Sequence, residues 1–376
     1  MFEKLSYLQL QEYWWFLVGL LGALFVFMTF VQGGQSMLHR VGKSEIQRDI
    51  IVNALGRKWE LTFTSLVVFG GALFAAFPLF YATSFGGAYY VWMAILFCFI
   101  IQAVAYEYRK KPNNLFGERV YEAFLFINGT LGIILIGVAL GTLFTGGNFV
   151  INEMNLSRWT TKTYGLEALL NFFNIAFGLM LFFIARVLGA LFFIKSIDQK
   201  DIIKRSRTIL RYESFIFLIL FIYVVSAILT MDGYNYDPVT KVVNIESMKY
   251  LHNFLAMPIV SAMFILGAIL FVIGIALGSL SKNENGIFYS GVGVVLVVLA
   301  IFLILGYNHT AYYPSLVDIQ SSLTIENSSG SKYTLVTMSY VSLMVPFVVA
   351  YIVVVWRALS SKKIDEKEIK QDPHHY

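Results

Sequence analysis

Nine long apolar stretches dominate the sequence and decide which fold class it can adopt. They cover roughly residues 13–32, 61–82, 87–107, 121–145, 166–194, 213–230, 252–278, 287–307 and 334–356. Each is long enough to cross about 30 Å of hydrocarbon as a helix. A β-barrel is disfavoured because the stretches do not alternate apolar and polar residues, and lipid offers backbone amides no hydrogen bonds. The sequence predicts an all-α polytopic membrane protein, with residues 1–376 forming one integral membrane domain.

The composition excludes most other classes of protein. Hydrophobic residues make up 58% of the chain and charged residues 14%, whereas soluble domains are roughly a quarter charged. The single cysteine, Cys98, excludes a disulfide within the chain and a cysteine-ligated zinc or iron–sulfur site. The net charge of +5 reflects basic loops and does not indicate nucleic-acid binding. The first residues lack the basic region of a signal peptide, so we expect the first stretch to be retained.

Lysine and arginine are distributed unequally between the two sets of loops. Of the 28 basic residues, 21 fall on one set, six on the other, and Arg186 lies inside the fifth stretch. The positive-inside rule then predicts an external N-terminus and a cytoplasmic C-terminus. The charged segment 358–376, which ends with His374 and His375, is expected to be a frayed cytoplasmic tail or to dock on a neighbour.

The histidines give little support to a haem or metal site within this chain. His39, His252 and His309 lie near predicted interfaces, and no two histidines are spaced four residues apart within a stretch. His252 and His309 could approach each other, but interfacial polar residues are the simpler interpretation. No metal-site, P-loop or dinucleotide motif is present. We therefore predict no metal ligands in this chain.

Two carboxylates at the predicted basic ends of stretches are candidates for proton transfer. Glu60 is either an interfacial carboxylate paired with Arg57 or a proton acceptor at the mouth of an inward path. Glu107 is either paired with Lys111 or takes part in the same path. Three other carboxylates near predicted ends of stretches are expected to be solvated at the interface: Glu122, Glu167 and Glu213.

Arg186 is the one basic residue expected well inside a stretch. At 1.5 Å per residue it lies roughly 12 Å from the basic end. A guanidinium at that depth needs an acceptor. The two alternatives are a structural ion pair and charge compensation for a nearby redox centre.

Glycines within the stretches indicate close contacts between helices. Gly137 and Gly141 form a GxxxG pattern, and Gly70, Gly71 and Gly132 suggest further close approaches.

The second stretch resembles a known family. Trp59-Glu60 is followed by GGALFAAFP over residues 70–78, and this pattern is similar to subunit II of the cytochrome bd quinol oxidases. Weaker matches follow in the same order along the whole chain: Trp14-Trp15, Leu17-Val18-Gly19, Glu107-Tyr108-Arg109, Pro314-Ser315 and Ser322-Leu323-Thr324.

The sequence also departs from the family pattern. Thr29 and Gln32 stand where the family's first-span motif has two aspartates. A proton route that used those two aspartates would therefore lack its carboxylates in this chain. Glu60 replaces the usual aspartate, and residues 61–65 differ from the usual continuation. With these departures the chain resembles a diverged branch of the family, such as the cyanide-insensitive type. A carboxylate is nevertheless kept at position 60.

The resemblance implies an architecture and separate roles for two subunits. The fold would be two four-helix bundles plus one peripheral helix. Subunit I would bind haem b and haem d and oxidise quinol, while this chain would ligate no haem and could hold a structural quinone. The two would form a heterodimer in the bacterial cytoplasmic membrane, which small single-span accessory subunits could join. The complex would reduce O₂ with cytoplasmic protons and generate proton-motive force without pumping, and Glu60 and Glu107 would assist proton uptake.

Two other classes of protein are compatible with the residues alone. A secondary transporter would use intramembrane carboxylates as coupling sites, and helices unwound at the membrane midplane would identify it. A scaffold without a redox or transport role is the third interpretation.

Overall fold

The computed structural model describes residues 1–281, 283–359 and 362–371. Across those ranges, nine helical segments are long and apolar enough to span a membrane. We label them in chain order as α1 (Tyr7–Ser36), α2 (Glu45–Ala76), α3 (Tyr89–Tyr108), α4 (Glu118–Thr145), α5 (Phe172–Ser196), α6 (Lys200–Thr230), α7 (Pro258–Leu280), α8 (Gly286–Gly306) and α9 (Lys332–Ala358). The all-α membrane fold predicted from the sequence is confirmed.

Two helices begin well before the predicted stretches. Helix α2 starts at Glu45 and not near residue 61, and α6 starts at Lys200 and not near residue 213. Both starts are capped, because the Ser44 side chain accepts a hydrogen bond from Gln47 N and the Gln199 side chain from Ile202 N. Hydropathy finds only the apolar part of a helix, so it missed these polar first turns.

Helix α5 lies at the centre of the bundle. It is 83% buried over its most apolar window and contacts α1, α4, α6, α7 and α8. Gly178 of α5 faces Gly137 of α4, where an added Cβ would come within 2.5 Å of the opposite Cα. The predicted close approach at Gly137 is therefore confirmed. Gly71 instead has nothing within 4 Å of an added Cβ, so the prediction was wrong there.

Helix α9 lies at the periphery. It is 12% buried over its most apolar window. The arrangement of the other eight helices as two four-helix bundles stays a prediction.

Three antiparallel hairpins close the end of the bundle opposite the basic loops. They are β1 (Phe149–Ile151) with β2 (Ser157–Trp159), β3 (Gly233–Tyr236) with β4 (Val243–Glu246), and β5 (Ala311–Tyr313) with β6 (Leu323–Thr324). Isolated bridges join Gly147 to Ser315 and Asn235 to Thr310, so the three loops form one cap.

Glu167 organises part of this cap and is not simply solvated, as the sequence suggested. Its carboxylate accepts hydrogen bonds from the hydroxyls of Thr161 and Thr163, each at 2.6 Å, and from Gly165 N at 3.0 Å. Partial burial acts to raise the pKa of Glu167, but these donors outweigh it and hold the pKa below its ordinary value.

Shorter helices connect or extend the spans: Phe2–Lys4, Leu38–Val41, Pro78–Tyr81, Leu166–Leu170, Lys249–Ala256, Ile319–Ser321, Ile325–Ser328 and Glu366–Gln371. A π-helical turn over Ala82–Gly87 joins α2 to α3, and a second, Asn128–Gly132, lies within α4.

The C-terminal segment docks on the basic end of the bundle, so over the described residues 362–371 it is not frayed. Ile364 pairs with Ile197, and Lys363 bonds Glu284 at 2.6 Å. Glu368 forms an ion pair with Arg57 of α2. The tail histidines His374 and His375, and Lys282, lie outside the described residues.

Candidate functional site

Glu60 and Glu107 are brought to the same level of the bundle by a pair of stacked rings. Trp59 of α2 and Tyr106 of α3 stack with their centroids 5.4 Å apart and their planes 10° from parallel. Each glutamate directly follows one of these buried aromatic residues along the chain and is itself exposed. The two carboxylates therefore flank one aromatic contact on the outer surface of α2 and α3.

The local ion pairs considered from the sequence do not form in the structure. Arg57 pairs with Glu368 and not with Glu60. Within the described residues, neither Glu60 nor Glu107 has an ion-pair or hydrogen-bond partner for its carboxylate. Both side chains are exposed, and the part of the chain that the structure describes offers them no partner.

A row of buried amides continues inward from the stacked rings. Gln35 Nε2 donates to the Tyr106 hydroxyl at 3.0 Å, and Gln32 Nε2 donates to Gln102 Oε1 at 3.0 Å, one helical turn further from the basic end. Asn128 of α4 is fully buried, and the Gly129 backbone packs against the Gln32 carbonyl.

Several polar atoms in this row have no partner among the described residues. They are Gln32 Oε1, Gln35 Oε1, Gln102 Nε2 and both side-chain polar atoms of Asn128. Buried amide groups in proteins are normally hydrogen-bonded, to water where no protein group is in reach. The row therefore provides donors and acceptors for internal water in the region where the family pattern would place carboxylates.

A dense charge cluster lies beside this row at the basic end of the bundle. Arg109, which is fully buried, bonds Asp49 at 2.6 Å and Glu122 at 2.8 Å. Arg48 bonds Glu122 at 3.1 Å, and Lys110 lies 3.1 Å from Asp49. Burial alone would lower the pKa of Arg109, but Asp49 and Glu122 raise it above its ordinary value, so the guanidinium stays charged.

The sequence interpretation missed this cluster. It placed Glu122 in interfacial solvent, but that side chain is 1% exposed. Asp49 was missed because α2 was predicted to begin after it. The capping signal around Ser44 and Gln47 would have extended the helix back over Asp49.

Arg186 is buried in α5 and forms a second, separate ion pair. Its Nε donates to Glu213 Oε2 at 2.7 Å, its Nη2 bonds the other carboxylate oxygen, and its Nη1 donates to Ser36 Oγ at 3.0 Å. Glu213, which was expected to be solvated, is buried because α6 continues beyond it toward the basic end. Arg40 also bonds Glu213, at 3.2 Å.

The described histidines do not fit a haem held between the helices of this chain. His39 lies 3.6 Å from Glu122, and His252 lies 2.8 Å from Glu246; both rings are about half exposed. His309 sits edge-on to Tyr236 in the cap. Within the described part of the chain, no group of three or more His, Cys, Asp or Glu side chains could hold a metal ion.

Comparison with known proteins identifies the family. The family model for cytochrome bd terminal oxidase subunit II matches residues 10–359. The chain is 27% identical to a probable cytochrome oxidase subunit 2 of Haemophilus influenzae, over 93% of this chain and 92% of that protein. It is 26% identical to cytochrome bd-I ubiquinol oxidase subunit 2 of Escherichia coli strain K12, over 98% of this chain and 99% of that protein.

A solved structure shares the fold. One chain of the bd oxidase from Geobacillus thermodenitrificans matches with a TM-score of 0.63 and 16% identity, covering 94% of this chain and all of that chain. The family match and the shared fold each extend over most of the chain. The chain belongs to the cytochrome bd terminal oxidase subunit II family.

Proposed function

We propose that this chain is the haem-free subunit of a quinol:O₂ oxidoreductase and that it assists proton uptake from the cytoplasm. The observation that supports this role is the placement of Glu60 and Glu107. Both are unpaired among the described residues, and they flank the Trp59–Tyr106 stack above a row of incompletely bonded amides. A carboxylate within a spanning helix is costly unless water or a partner solvates it.

We propose that the haem-bearing subunit I covers the face that carries these carboxylates. Beyond Glu60, α2 exposes Phe63, Val67 and Phe74, and α3 exposes Met93 and Phe97. A partner helix on this apolar face would enclose Glu60 and Glu107 in a crevice open at the basic end. Small accessory subunits and a structural quinone remain part of the proposal, without an assigned site on this chain.

The distribution of basic residues supports a cytoplasmic location for this crevice. Most lysines and arginines lie on the loops at the same end as Glu60, and the positive-inside rule assigns that end to the cytoplasm. We propose a bacterial cytoplasmic membrane location, with the N-terminus outside and the C-terminus inside.

The proposed chemistry of this chain is limited to holding and moving protons. Glu60 and Glu107 would accept protons from cytoplasmic water, and water bonded to Gln35, Gln32 and Gln102 would carry them inward. Haem groups in subunit I supply the O₂ reduction. Because protons are taken from one side and quinol releases its protons on the other, turnover would build a proton-motive force without pumping.

A paired substitution tests this role in the assembled oxidase. Glu60→Gln should slow quinol-driven O₂ consumption on the order of 10²-fold, the lower end of what one positioned proton-transfer group contributes. Glu60→Asp should keep most of the rate because it keeps a carboxylate. Glu45→Gln, on the exposed start of the same helix, is the matched control. Turnover of Glu60→Gln at the parental rate, with normal haem content, would exclude the role.

The transporter alternative has no specific support in the structure. Among the described residues, the spanning helices are interrupted at Thr29, at the π-helical turn Asn128–Gly132 and at Leu343–Met344 of α9. The backbone stays hydrogen-bonded at each interruption, so none is an unwound segment. A scaffold role would be favoured if both Glu60→Gln and Glu107→Gln left the rate unchanged.

A further inference from the structure

A cavity on the side of the bundle formed by α4, α5 and α6 is not explained by the proposed proton uptake. Its volume is about 420 Å³, within the range of ligand sites. The polar lining comes from Ser36, His39, Arg40, Arg186, Tyr212 and Glu213. The apolar lining comes from Phe126, Phe182, Phe183 and Ile216.

The charged groups of this cavity leave an excess of positive charge at its mouth. Two guanidinium groups, those of Arg40 and Arg186, share the single Glu213 carboxylate. The Arg186 side chain is 5% exposed and each of its three nitrogens bonds Glu213 or Ser36, whereas the Arg40 side chain is 64% exposed. Among the described residues, Arg40 bonds Glu213 through one nitrogen only, so its other N–H groups can bind a ligand.

The lining also changes from charged to apolar along the cavity. Arg40 and His39 lie beside the loop that joins α1 to α2 at the basic end, while Phe182 lies under the Arg186 guanidinium, 5.2 Å from it. Phe126 and Ile216 are both exposed on the outer surface of the bundle. This arrangement fits an amphiphile that has an anionic head at the mouth and an apolar chain along the wall.

We propose that this cavity binds one anionic phospholipid from the basic-side leaflet. Its phosphate would bond Arg40 at the mouth, and an acyl chain would pack against Phe126, Phe183 and Ile216. Basic pockets between spanning helices on the cytoplasmic side bind anionic headgroups in this way. A neutral quinone ring would leave the excess charge of Arg40 uncompensated. The site is separate from the face of Glu60 and Glu107, so the proposal stands independently of the proton-uptake role.

The test uses the assembled, purified oxidase depleted of lipid and then titrated with phosphatidylglycerol or phosphatidylcholine in mixed micelles. Native mass spectrometry measures the retained lipid, and thermal melting measures the binding curve. Phosphatidylglycerol should raise the melting temperature of the parental complex in a saturable way, whereas phosphatidylcholine and inorganic phosphate should not.

Two variants separate the head and chain contacts. Arg40→Gln should weaken phosphatidylglycerol binding about fivefold, the effect of one basic side chain near an anionic headgroup. Ile216→Trp should fill the wall of the cavity and abolish the bound lipid. Lys43→Gln and Ile219→Trp, exposed neighbours outside the lining, should bind lipid as the parental complex does. Because all four positions lie outside the proposed proton path, none of the variants should change the rate of quinol oxidation.

Three results would overturn the proposal. Equal binding of phosphatidylglycerol by the parental complex, Arg40→Gln and Ile216→Trp would place the lipid elsewhere. Equal stabilisation by phosphatidylcholine or by phosphate alone would exclude an anionic lipid as the specific occupant. A quinone retained in place of lipid, and lost in Ile216→Trp, would assign the cavity to a different ligand.

Discussion

Two pairs of carboxylates in this chain differ in their surroundings, although all four lie in spanning helices. Glu122 and Glu213 are 1% and 3% exposed, and each contacts at least two basic side chains. Glu60 and Glu107 are exposed and have no ion-pair partner among the described residues. Residues of this chain therefore neutralise the first pair, whereas no described residue neutralises the second.

The buried pair stabilises the fold of this chain. We propose that the exposed pair acts only in the assembled oxidase. A buried carboxylate whose basic partner is removed is left uncompensated in a medium that cannot solvate it. An exposed, unpaired carboxylate contributes little to the stability of its own chain. We propose that its position is instead explained by the partner subunit or the water that contacts it in the complex.

The largest expected effect comes from breaking the Arg109 cluster. Arg109→Met should destabilise the chain by about 3–5 kcal/mol, because Asp49 and Glu122 lose their shared buried partner. The yield and the melting temperature of the complex after detergent extraction measure this loss. Arg119→Met, an exposed residue in the first turn of α4, is the control and should behave like the parental protein. A normal melting temperature for Arg109→Met would show that the cluster does not stabilise the fold.

A somewhat smaller effect is expected at the Arg186–Glu213 pair, because Arg186 pairs with one buried carboxylate whereas Arg109 pairs with two. Arg186→Leu should cost about 3 kcal/mol, the lower limit for breaking a buried pair. The double variant Arg186→Leu with Glu213→Leu should recover much of that loss, since apolar replacement of a buried pair is often neutral.

Melting of the two single variants and the double variant forms a cycle that isolates the coupling between the side chains. Haem content, measured in parallel, separates a structural pair from compensation of a redox centre. Additive effects of the two substitutions would contradict the ion pair, and loss of haem at unchanged stability would favour compensation.

The sequence predicted the helices better than it predicted their charged ends. The length of the apolar stretches located all nine spans, because a helix that crosses the lipid must be apolar over that length. The same criterion placed Glu213 at the start of a helix, although α6 begins thirteen residues earlier at Lys200. Asp49 was missed in the same way, because α2 begins at Glu45. Glu122 was missed because its partners Arg48 and Arg109 come from other helices, and the sequence alone does not show which helices touch.

Glu60 and Glu107 were identified because they are carboxylates beside apolar stretches, a property that the sequence does show. Their unpaired state was not predictable. Arg57 is correctly spaced to pair with Glu60 along the helix, but it is taken by Glu368 of the C-terminal segment. The Arg57–Glu368 contact joins residues 311 positions apart and forms only because the C-terminal segment folds back onto α2. A local sequence pattern cannot predict such a contact.

The smallest effect on stability is expected at the exposed pair. Glu60→Gln and Glu107→Gln should each change the free energy of unfolding by less than about 0.5 kcal/mol, as is usual for surface positions without partners. Melting of the solubilised complex measures this, with Arg109→Met as the destabilised reference. Both variants should assemble normally even where turnover falls, so a rate defect would be assigned to proton transfer and not to folding. A loss of stability as large as that of Arg109→Met would instead mean that subunit I supplies a buried basic partner to Glu60 or Glu107. The two pairs of carboxylates would then differ only in which subunit provides their basic partners.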